Sequence, residues 1–227
     1  MTTGENPTAP TAPQEPTPAP PTTLVILVRH GATPTTGRLL PGRAPGLGLS
    51  DLGRQQAERA AERLTARTID ALYSSPLQRT RETAQPTAER TGLTVSEDAG
   101  LIECDVGEWT GQAIADLAKL PEWHTVQAEP DAFTFPGGES FVQMQDRMVA
   151  ALGRIRDAHL GGTVVCFSHA DPIRVALADA LGTPLNRFQR ISVDPCSVSV
   201  ISHQEGRDPV VLTVNSTQSS LADLTAS

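Results

Sequence analysis

Cysteine is scarce in this chain of 227 residues: it occurs only at Cys104, Cys166 and Cys196, and no two of them form a Cys-x-x-Cys pair. An odd number of isolated cysteines argues against a disulfide framework and against a zinc site built from clustered cysteines. The pattern fits a reducing compartment, so we expect a cytoplasmic protein that binds no metal. Cys166 lies within an apolar run, and we expect it to be a small core residue.

Long apolar runs and an excess of positive charge are also missing. No apolar stretch approaches the roughly 20 residues that a membrane-spanning helix needs. The formal net charge is −8 and the sequence pI is about 5.1, whereas a nucleic-acid surface needs a basic face. We therefore expect neither a membrane nor a nucleic acid as a partner, although a local cluster of arginines can still bind a small anion.

The ends of the chain differ in composition from its middle. Residues 1–21 contain seven prolines, and such a segment cannot build a core. It also lacks the basic start and the apolar stretch of a secretory signal. We expect residues 1–22 to be a disordered tail, residues 23–216 to form one domain, and residues 217–227 to be a flexible tail.

The apolar run from Leu24 to Val28 is followed directly by Arg29, His30 and Gly31. Its length and β-branched content are typical of a buried strand, and Gly31 ends it. The end of a strand is where ligands bind in open α/β sheets. Because a neutral imidazole is nucleophilic near pH 7 and a guanidinium can hold phosphate oxygens, this pair suits a phosphoryl group.

Predicted strands and helices alternate along the rest of the chain. Ser50 is expected to cap a helix, Ser75 and Pro76 to begin another, and the apolar residues between Glu139 and His159 have helical spacing. This alternation predicts an α/β fold with three αβα layers around a mostly parallel sheet. We also predict a turn at 136–138, helical segments at 111–119 and 173–181, and extended segments or strands at 70–74, 93–103, 163–167, 191–193, 197–202 and 210–214.

Five polar residues are predicted to meet at one edge of this sheet. Arg29 and His30 follow the first strand, and Arg79 lies in the first turns of a helix. Glu103 follows the third extended segment, and His169 follows a buried strand. A doubly wound sheet brings such positions together, so two arginines, two histidines and one carboxylate would surround a single pocket.

Six motifs follow one another along the chain: Leu27-Val28-Arg29-His30-Gly31, Leu49-Ser50-Asp51-Leu52-Gly53-Arg54-Gln55-Gln56-Ala57, Ser74-Ser75-Pro76-Leu77-Gln78-Arg79-Thr80-Arg81-Glu82-Thr83-Ala84, Gly107-Glu108-Trp109-Thr110-Gly111, Pro136-Gly137-Gly138-Glu139-Ser140 and Ser168-His169-Ala170. In this order they resemble the motifs of the histidine phosphatase superfamily in its phosphoglycerate-mutase-like branch. The resemblance spans about residues 24–214 and implies the fold of that branch. The segment 191–200 further resembles an actinobacterial subgroup named as phosphomutases.

The resemblance implies a role for each residue of the predicted pocket. His30 would be the nucleophile that becomes phosphohistidine. Arg29, Arg79 and His169 would hold the phosphoryl oxygens, and Glu103 would donate a proton to the leaving oxygen. Positioned positive charge and proton donation are what the slow hydrolysis of a phosphate monoester requires. No cofactor is implied.

Three positions depart from the pattern of the family. Relatives commonly carry Glu at the position of Ala32, Asn at that of Thr36 and Gly at that of Ala170. The Thr36 hydroxyl and the Ala170 backbone N–H would still be available to phosphate. Ser168 and Asp171 flank His169, and we expect them to orient its ring.

Some residues have a second interpretation. Asp105 or Glu108 is an alternative proton donor, although motif position favours Glu103. A solvated Arg79 would pair with a nearby glutamate, Glu82 or Glu58, instead of binding phosphate. His169 could be a core histidine, but its place at a strand end favours the site. Trp109 is expected to be a packing anchor.

We therefore predict a metal-independent phosphomonoester hydrolase that acts through phosphohistidine on a small phosphorylated metabolite. A phosphomutase of the phosphoglycerate-mutase type would share the pocket, and a weakly active module that binds phosphorylated ligands is a third interpretation. The segment 107–111 resembles the phosphatases more than the mutases. The sequence names no substrate and leaves the oligomeric state open, a homo-oligomer included.

Overall fold

A six-stranded sheet forms the centre of the protein in a computed structural model that describes residues 20–217. Its strands are β1 (Thr22–Arg29), β2 (Ala71–Ser74), β3 (Val95–Glu97), β4 (Thr163–Ser168), β5 (Val198–Gln204) and β6 (Val210–Ser216). They lie in the order β3-β2-β4-β1-β5-β6. The pairs β1/β4, β2/β4 and β2/β3 are parallel, whereas β1/β5 and β5/β6 are antiparallel. The prediction of a mostly parallel sheet is confirmed.

Helices pack against both faces of the sheet. Alternate residues of β1 belong to different cores: Val25 and Leu27 pack with one set of helices, and Ile26 and Val28 with the other. This alternation is the period of a strand that is buried on both faces, and it confirms the three αβα layers. The helices are α1 (Asp51–Leu64), α2 (Gln78–Thr91), α3 (Ile114–Leu117), α4 (Pro121–Ala128), α5 (Phe141–Ala158) and α6 (Ala170–Ala180).

The predicted tails lie mostly outside the described residues. Thr22, the last residue of the predicted N-terminal tail, is the first residue of β1 and pairs with Gln204. The side-chain amide of Gln204 also donates a hydrogen bond to the carbonyl oxygen of Pro20 (2.9 Å). Residues 1–19 and 218–227 are not described, so the disorder expected of them stays a prediction.

Several local predictions are confirmed by the hydrogen bonds. Ser50 caps α1 by accepting from the backbone N–H of Gly53. Ser140 and Gln143 form a capping box at the start of α5, so this helix begins at Phe141, two residues after the predicted start. A capping box satisfies two backbone N–H groups that the first turn leaves unpaired. The predicted turn at 136–138 precedes it.

Two local predictions are wrong. α2 begins at Gln78 after Leu77 and not at Pro76: the hydroxyl of Ser75 accepts only a long hydrogen bond from the N–H of Leu77 (3.4 Å) and lies closer to a histidine ring nitrogen (2.8 Å). Residues 191–193 are irregular, since the Ile191 and Val193 carbonyl oxygens accept from arginine side chains. α4 was not predicted.

Aromatic side chains between residues 107 and 141 pack together in one cluster. Trp109 is buried and stacks on Trp123 of α4, with ring centroids 6.1 Å apart. It also contacts Phe133 and Phe135, at centroid distances of 5.5 and 5.4 Å. Its prediction as a packing anchor is confirmed. Among residues 20–217, no helix is long and apolar enough to cross a membrane.

The loop that follows β1 packs directly on the first turn of α1. A Cβ atom on Gly53 would lie 2.0 Å from the carbonyl oxygen of Ala32, and one on Gly31 would lie 2.5 Å from the carbonyl oxygen of Gly53. The same Ala32 oxygen accepts hydrogen bonds from the N–H and hydroxyl of Ser50. Close backbone contact therefore holds the chain immediately after His30.

We predict that Gly53→Ala destabilises the protein. The added methyl group must displace backbone, which typically lowers the free energy of unfolding by about 1–3 kcal/mol. Gly153→Ala is the matched control, because a Cβ at Gly153, inside α5, meets no atom within 4 Å. Alanine is favoured over glycine in a helix by about 1 kcal/mol, so this variant should be more stable than the wild type. Urea unfolding measures both, and an equally stable Gly53→Ala variant would contradict the packing described here.

Candidate active site

The parallel pairing of β1 and β4 brings two histidines together. Arg29 is in register with Ser168 at the ends of these strands, and the N–H of His30 donates to the Ser168 carbonyl oxygen (3.0 Å). The next residue on each strand is a histidine. The rings of His30 and His169 lie edge to face, with centroids 5.2 Å apart and planes at 62°.

Two guanidinium groups lie beside these rings, and each has N–H groups without a hydrogen-bond partner among the described residues. Arg79 has no exposed surface; its Nη2 donates to the Gly42 carbonyl oxygen (2.8 Å), while its Nε and Nη1 have no partner among the described residues. Arg29 donates through Nη1 to the Val193 carbonyl oxygen (2.7 Å), and its buried Nε has no partner among residues 20–217. A buried cation with unsatisfied N–H groups is costly, so this site favours an anion that accepts hydrogen bonds.

The hydrogen bond of His30 identifies which of its ring nitrogens carries the hydrogen in the neutral form. Nδ1 lies 2.8 Å from the carbonyl oxygen of Gly31, and a carbonyl can only accept, so Nδ1 carries the hydrogen. In the neutral ring the lone pair is then on Nε2. Burial, followed by the charges of Arg29 and Arg79, holds the pKa of His30 well below its usual value, which keeps the ring neutral near pH 7.

His169 is oriented by a residue that the sequence analysis assigned to a helix cap. Its Nε2 lies 2.8 Å from the hydroxyl of buried Ser75. Its Nδ1 is buried without a hydrogen-bond partner in the described part of the chain, 3.9 Å from Oε2 of Glu103. Burial, and then the charge of Arg79, lowers the pKa of His169 well below its usual value. In the neutral ring, a proton on Nδ1 leaves Nε2 to accept from Ser75.

The residues expected to orient His169 do not contact its ring. The Ser168 hydroxyl donates to the Leu101 carbonyl oxygen (2.7 Å), and Asp171 pairs with Arg174 (2.9 Å). That prediction is wrong. Ser75 was missed because a serine before a proline is also a typical helix start, and only the tertiary contact separates the two roles.

Glu103 is the carboxyl group that faces the histidines. Its Oε1 accepts from the N–H of Cys104 (2.9 Å), which leaves Oε2 near His169. Burial, and then the negative charge of Asp171, raises the pKa of Glu103 to about 7, although Arg79 and Arg29 lower it. Its carboxyl can therefore hold or release a proton near neutral pH.

The alternative acids point elsewhere. Asp105 pairs with Arg43 (3.3 Å), and Glu108 is exposed at the surface. These positions agree with the preference for Glu103 over its two neighbours in the sequence.

Neither alternative partner of Arg79 contacts it. Glu82 instead accepts from the N–H of Leu49 (2.7 Å), and Glu58 pairs with Arg90 (3.1 Å). The guanidinium of Arg79 is therefore left for the pocket.

The two residues predicted as weaker phosphate contacts, Ala170 and Thr36, lie at different places. Ala170 is the first residue of α6, so its N–H belongs to a helix N-terminus. The Thr36 hydroxyl accepts from the N–H of Thr33 (2.8 Å) and lies 3.0 Å from the Thr33 hydroxyl. Thr36 is thus engaged within its own loop. Among residues 20–217, no group of three or more His, Cys, Asp or Glu side chains is arranged to hold a metal ion.

Comparison with known proteins gives a consistent result. Residues 25–217 match the histidine phosphatase superfamily (branch 1). The chain is 37% identical over 198 residues to phosphoserine phosphatase 1 of Hydrogenobacter thermophilus, covering 85% of this chain and 92% of that protein. It is 34% identical over 200 residues to phosphoglycerate mutase-like protein 4 of Arabidopsis thaliana, covering 80% and 86%. The native structure of a mycobacterial glucosyl-3-phosphoglycerate phosphatase has a TM-score of 0.79 at 28% identity, covering 86% of this chain and all of that one (100%).

We predict that Ser75→Ala destabilises the protein, because it leaves Nε2 of a fully buried histidine without a partner. A buried polar group left unsatisfied costs about 1–3 kcal/mol of unfolding free energy. Ser96→Ala, at an exposed residue of β3, is the control and should change stability by less than about 0.5 kcal/mol. Urea unfolding compares the two variants. Equal stability would mean that Ser75 contributes no hydrogen bond to His169.

Proposed function

The chain belongs to the histidine phosphatase superfamily, and we propose that it hydrolyses phosphate monoesters of small metabolites through a phosphohistidine on His30. This proposal rests mainly on what surrounds Nε2 of His30. That atom holds a lone pair, in a ring kept neutral by burial, next to two buried guanidinium groups with free donors. Such a site provides both a nucleophile and a binding place for a dianion.

The substrate phosphoryl group would lie against the unpaired donors. Arg79 supplies Nε and Nη1, and Arg29 supplies Nε. His169 adds Nδ1–H, because Ser75 can occupy its other nitrogen. Fixed donors of this kind stabilise the charge on the phosphoryl oxygens in the transition state, which is usually a large part of the catalysis of phosphoryl transfer. The N–H of Ala170 and the Thr36 hydroxyl are proposed as weaker contacts.

The first chemical step moves the phosphoryl group to the enzyme. The lone pair on Nε2 of His30 forms a bond to phosphorus while the bond from phosphorus to the ester oxygen breaks. Protonated Glu103 gives its proton to that oxygen, so the leaving group departs as an alcohol. The carboxylate formed then removes a proton from water, the water oxygen attacks phosphorus, the N–P bond breaks and inorganic phosphate is released.

Hydrolysis and mutase activity differ in what attacks the phosphohistidine. A mutase returns the phosphoryl group to a second hydroxyl of the substrate, whereas a phosphatase lets water reach it. The sequence of segment 107–111 supports the phosphatase, and two of the relatives named above are called phosphatases while the third is called phosphoglycerate mutase-like. A phosphorylated hydroxy or amino acid is the substrate class that their names suggest. The three buried free thiols support a cytoplasmic location.

The decisive test of this function is the His30→Ala variant, assayed for both free phosphate and isomerised product. We expect the wild type to release phosphate from phosphorylated metabolites and His30→Ala to lose all turnover, because no nucleophile remains. We also expect EDTA to leave the wild-type rate unchanged. Normal activity in His30→Ala would contradict the mechanism. So would a rate that EDTA abolishes and Mg²⁺ or Zn²⁺ restores.

The role of Glu103 predicts a dependence on the leaving group. An alkoxide needs a proton as it departs, whereas nitrophenolate scarcely does. Glu103→Gln should therefore slow hydrolysis of alkyl phosphates by about a hundredfold or more, the usual size of general-acid catalysis, and slow p-nitrophenyl phosphate much less. Equal losses on both substrates, or a selective loss in Asp105→Asn instead, would remove the acid role from Glu103.

The same role predicts how the rate changes with pH. The acid form of Glu103 is present below its pKa of about 7 in the free protein, so kcat/KM for alkyl phosphates should fall as the pH rises through 7. His30 has a lowered pKa and stays neutral as the pH falls through 6.5, so it imposes no loss in that range. The decline above pH 7 should be weaker with p-nitrophenyl phosphate.

A further inference from the structure

The segment that carries Glu103 leaves a single 3-10 turn at Ala99–Leu101 and has no regular structure over residues 102–106, where side chains hold it in place. The carbonyl oxygens of Gly100, Leu101, Ile102 and Glu103 all accept hydrogen bonds from side chains. Backbone carbonyls outside regular structure must find other donors, and the donors then set the path of the chain. The position of the Glu103 carboxyl thus depends on a few polar side chains around its own backbone.

Arg147 of α5 supplies most of these donors. Its Nη1 donates to the carbonyl oxygens of Gly100 and Ile102, both at 2.8 Å. Its Nη2 lies 3.4 Å from the carbonyl oxygen of Glu103. One guanidinium therefore contacts three carbonyl oxygens over four residues, which the planar geometry and five donors of arginine allow.

Arg43 holds the same residue from the other side. Its Nε donates to the Glu103 carbonyl oxygen (2.9 Å), and its Nη1 pairs with Asp105 (3.3 Å). The residue before it, Gly42, accepts from Arg79. The dipeptide 42–43 therefore connects the arginine of the phosphate site to the backbone of the proposed acid.

Glu139 joins the two arginines. Its Oε1 accepts from Arg43 (2.9 Å), from Arg147 (2.6 Å) and from the backbone N–H of Asp105 (3.0 Å). Its own N–H donates to the Asp105 carbonyl oxygen (2.9 Å). Its side chain is only 15% exposed. Glu139 belongs to the motif 136–140, whose role the proposed function leaves unexplained.

The glycines of that motif allow this contact. A Cβ on Gly138 would lie 2.2 Å from the carbonyl oxygen of Asp105, and one on Gly107 would lie 2.1 Å from that of Pro136. The motif backbone thus lies directly against the segment that follows Glu103. Both the backbone and the carboxylate of Glu139 are fixed to that segment.

We propose that Glu139, acting through Arg43 and Arg147, is a positioning residue that sets where the Glu103 carboxyl meets the leaving group. The inference rests on the proposed function, in which Glu103 is the proton donor. A general acid must come within about 2.6–3.2 Å of the oxygen that it protonates. Glu139 touches neither the histidines nor the arginines of the phosphate site, so its loss should affect proton transfer more than phosphate binding.

The test compares two substrates in the full-length Glu139→Gln variant. Glutamine keeps the size of the side chain and one acceptor oxygen, but it removes the charge shared by the two arginines. We expect kcat/KM for an alkyl phosphate to fall about tenfold or more relative to that for p-nitrophenyl phosphate, because a shift of about 1 Å at a reacting group can cost a hundredfold. The ratio of the two rates does not depend on how much of the sample is folded.

Arg154→Gln is the matched control. Arg154 also lies on α5 and pairs with Asp98 at the start of the same segment (3.2 Å), but its side chain is 62% exposed. It donates to no carbonyl oxygen of residues 100–103 among the described contacts. The substrate ratio of this variant should equal that of the wild type.

A double variant separates positioning from a general effect on structure. If Glu139 acts through Glu103, then Glu103→Gln combined with Glu139→Gln should show no further change in the substrate ratio beyond Glu103→Gln alone. An unchanged substrate ratio in Glu139→Gln, which includes equal loss on both substrates, would overturn the proposal. Additive effects of the two substitutions on the ratio would also overturn it. Arg147→Lys provides the same test if Glu139→Gln does not fold, since one ammonium cannot contact three carbonyl oxygens in the same geometry.

Failure of the underlying function is distinguishable from failure of this inference. If Glu103→Gln itself shows no selective loss on the alkyl phosphate, the acid assignment is wrong. If Glu103→Gln is selective and Glu139→Gln is not, only the positioning role is wrong.

Discussion

Two guanidinium groups buried beside a neutral histidine are the constraint on which the rest of this site depends. Desolvating a cation is costly unless it is paired and hydrogen-bonded. Arg79 and Arg29 each satisfy one donor with a backbone carbonyl and are close enough to Glu103 to feel its charge, yet both keep free N–H groups. A phosphate dianion would complete both requirements at once. Burial, and after it the same positive charges, holds the pKa of His30 well below its usual value and keeps its ring neutral.

The fold supplies different parts of the site with different kinds of support. His30 and His169 follow adjacent parallel strands, so the backbone register alone brings their rings together. Glu103 has no such support, because it lies on an irregular segment whose carbonyl oxygens accept from Arg147, Arg43 and Ser168. The proposed nucleophile is thus placed by the sheet and the proposed acid by side chains. Substitutions away from the pocket should therefore disturb the position of the Glu103 carboxyl more than the positions of the two histidines.

The sequence predicted what depends on local pattern. The apolar run 24–28, the cap at Ser50 and the helical spacing in α5 each reflect one element and were confirmed. The convergence of Arg79 and His169 also followed, because the topology of a parallel sheet brings strand ends together. What could not be predicted depends on long-range contacts: the bond between Ser75 and His169 joins residues 94 apart in the chain. The tautomer of His30 is likewise set by the carbonyl of Gly31, whose direction only the folded loop determines.

Nε2 of His30 is proposed to carry the phosphoryl group during turnover. Rapid quenching of the enzyme with ³²P-labelled substrate at high pH, followed by digestion and mass spectrometry, tests it directly, because phosphohistidine survives base but not acid. We expect a label on His30, attached at Nε2, that appears before free phosphate does and disappears as the substrate is consumed. A label on any other residue, attachment at Nδ1, or turnover with no labelled enzyme at any time would contradict the account.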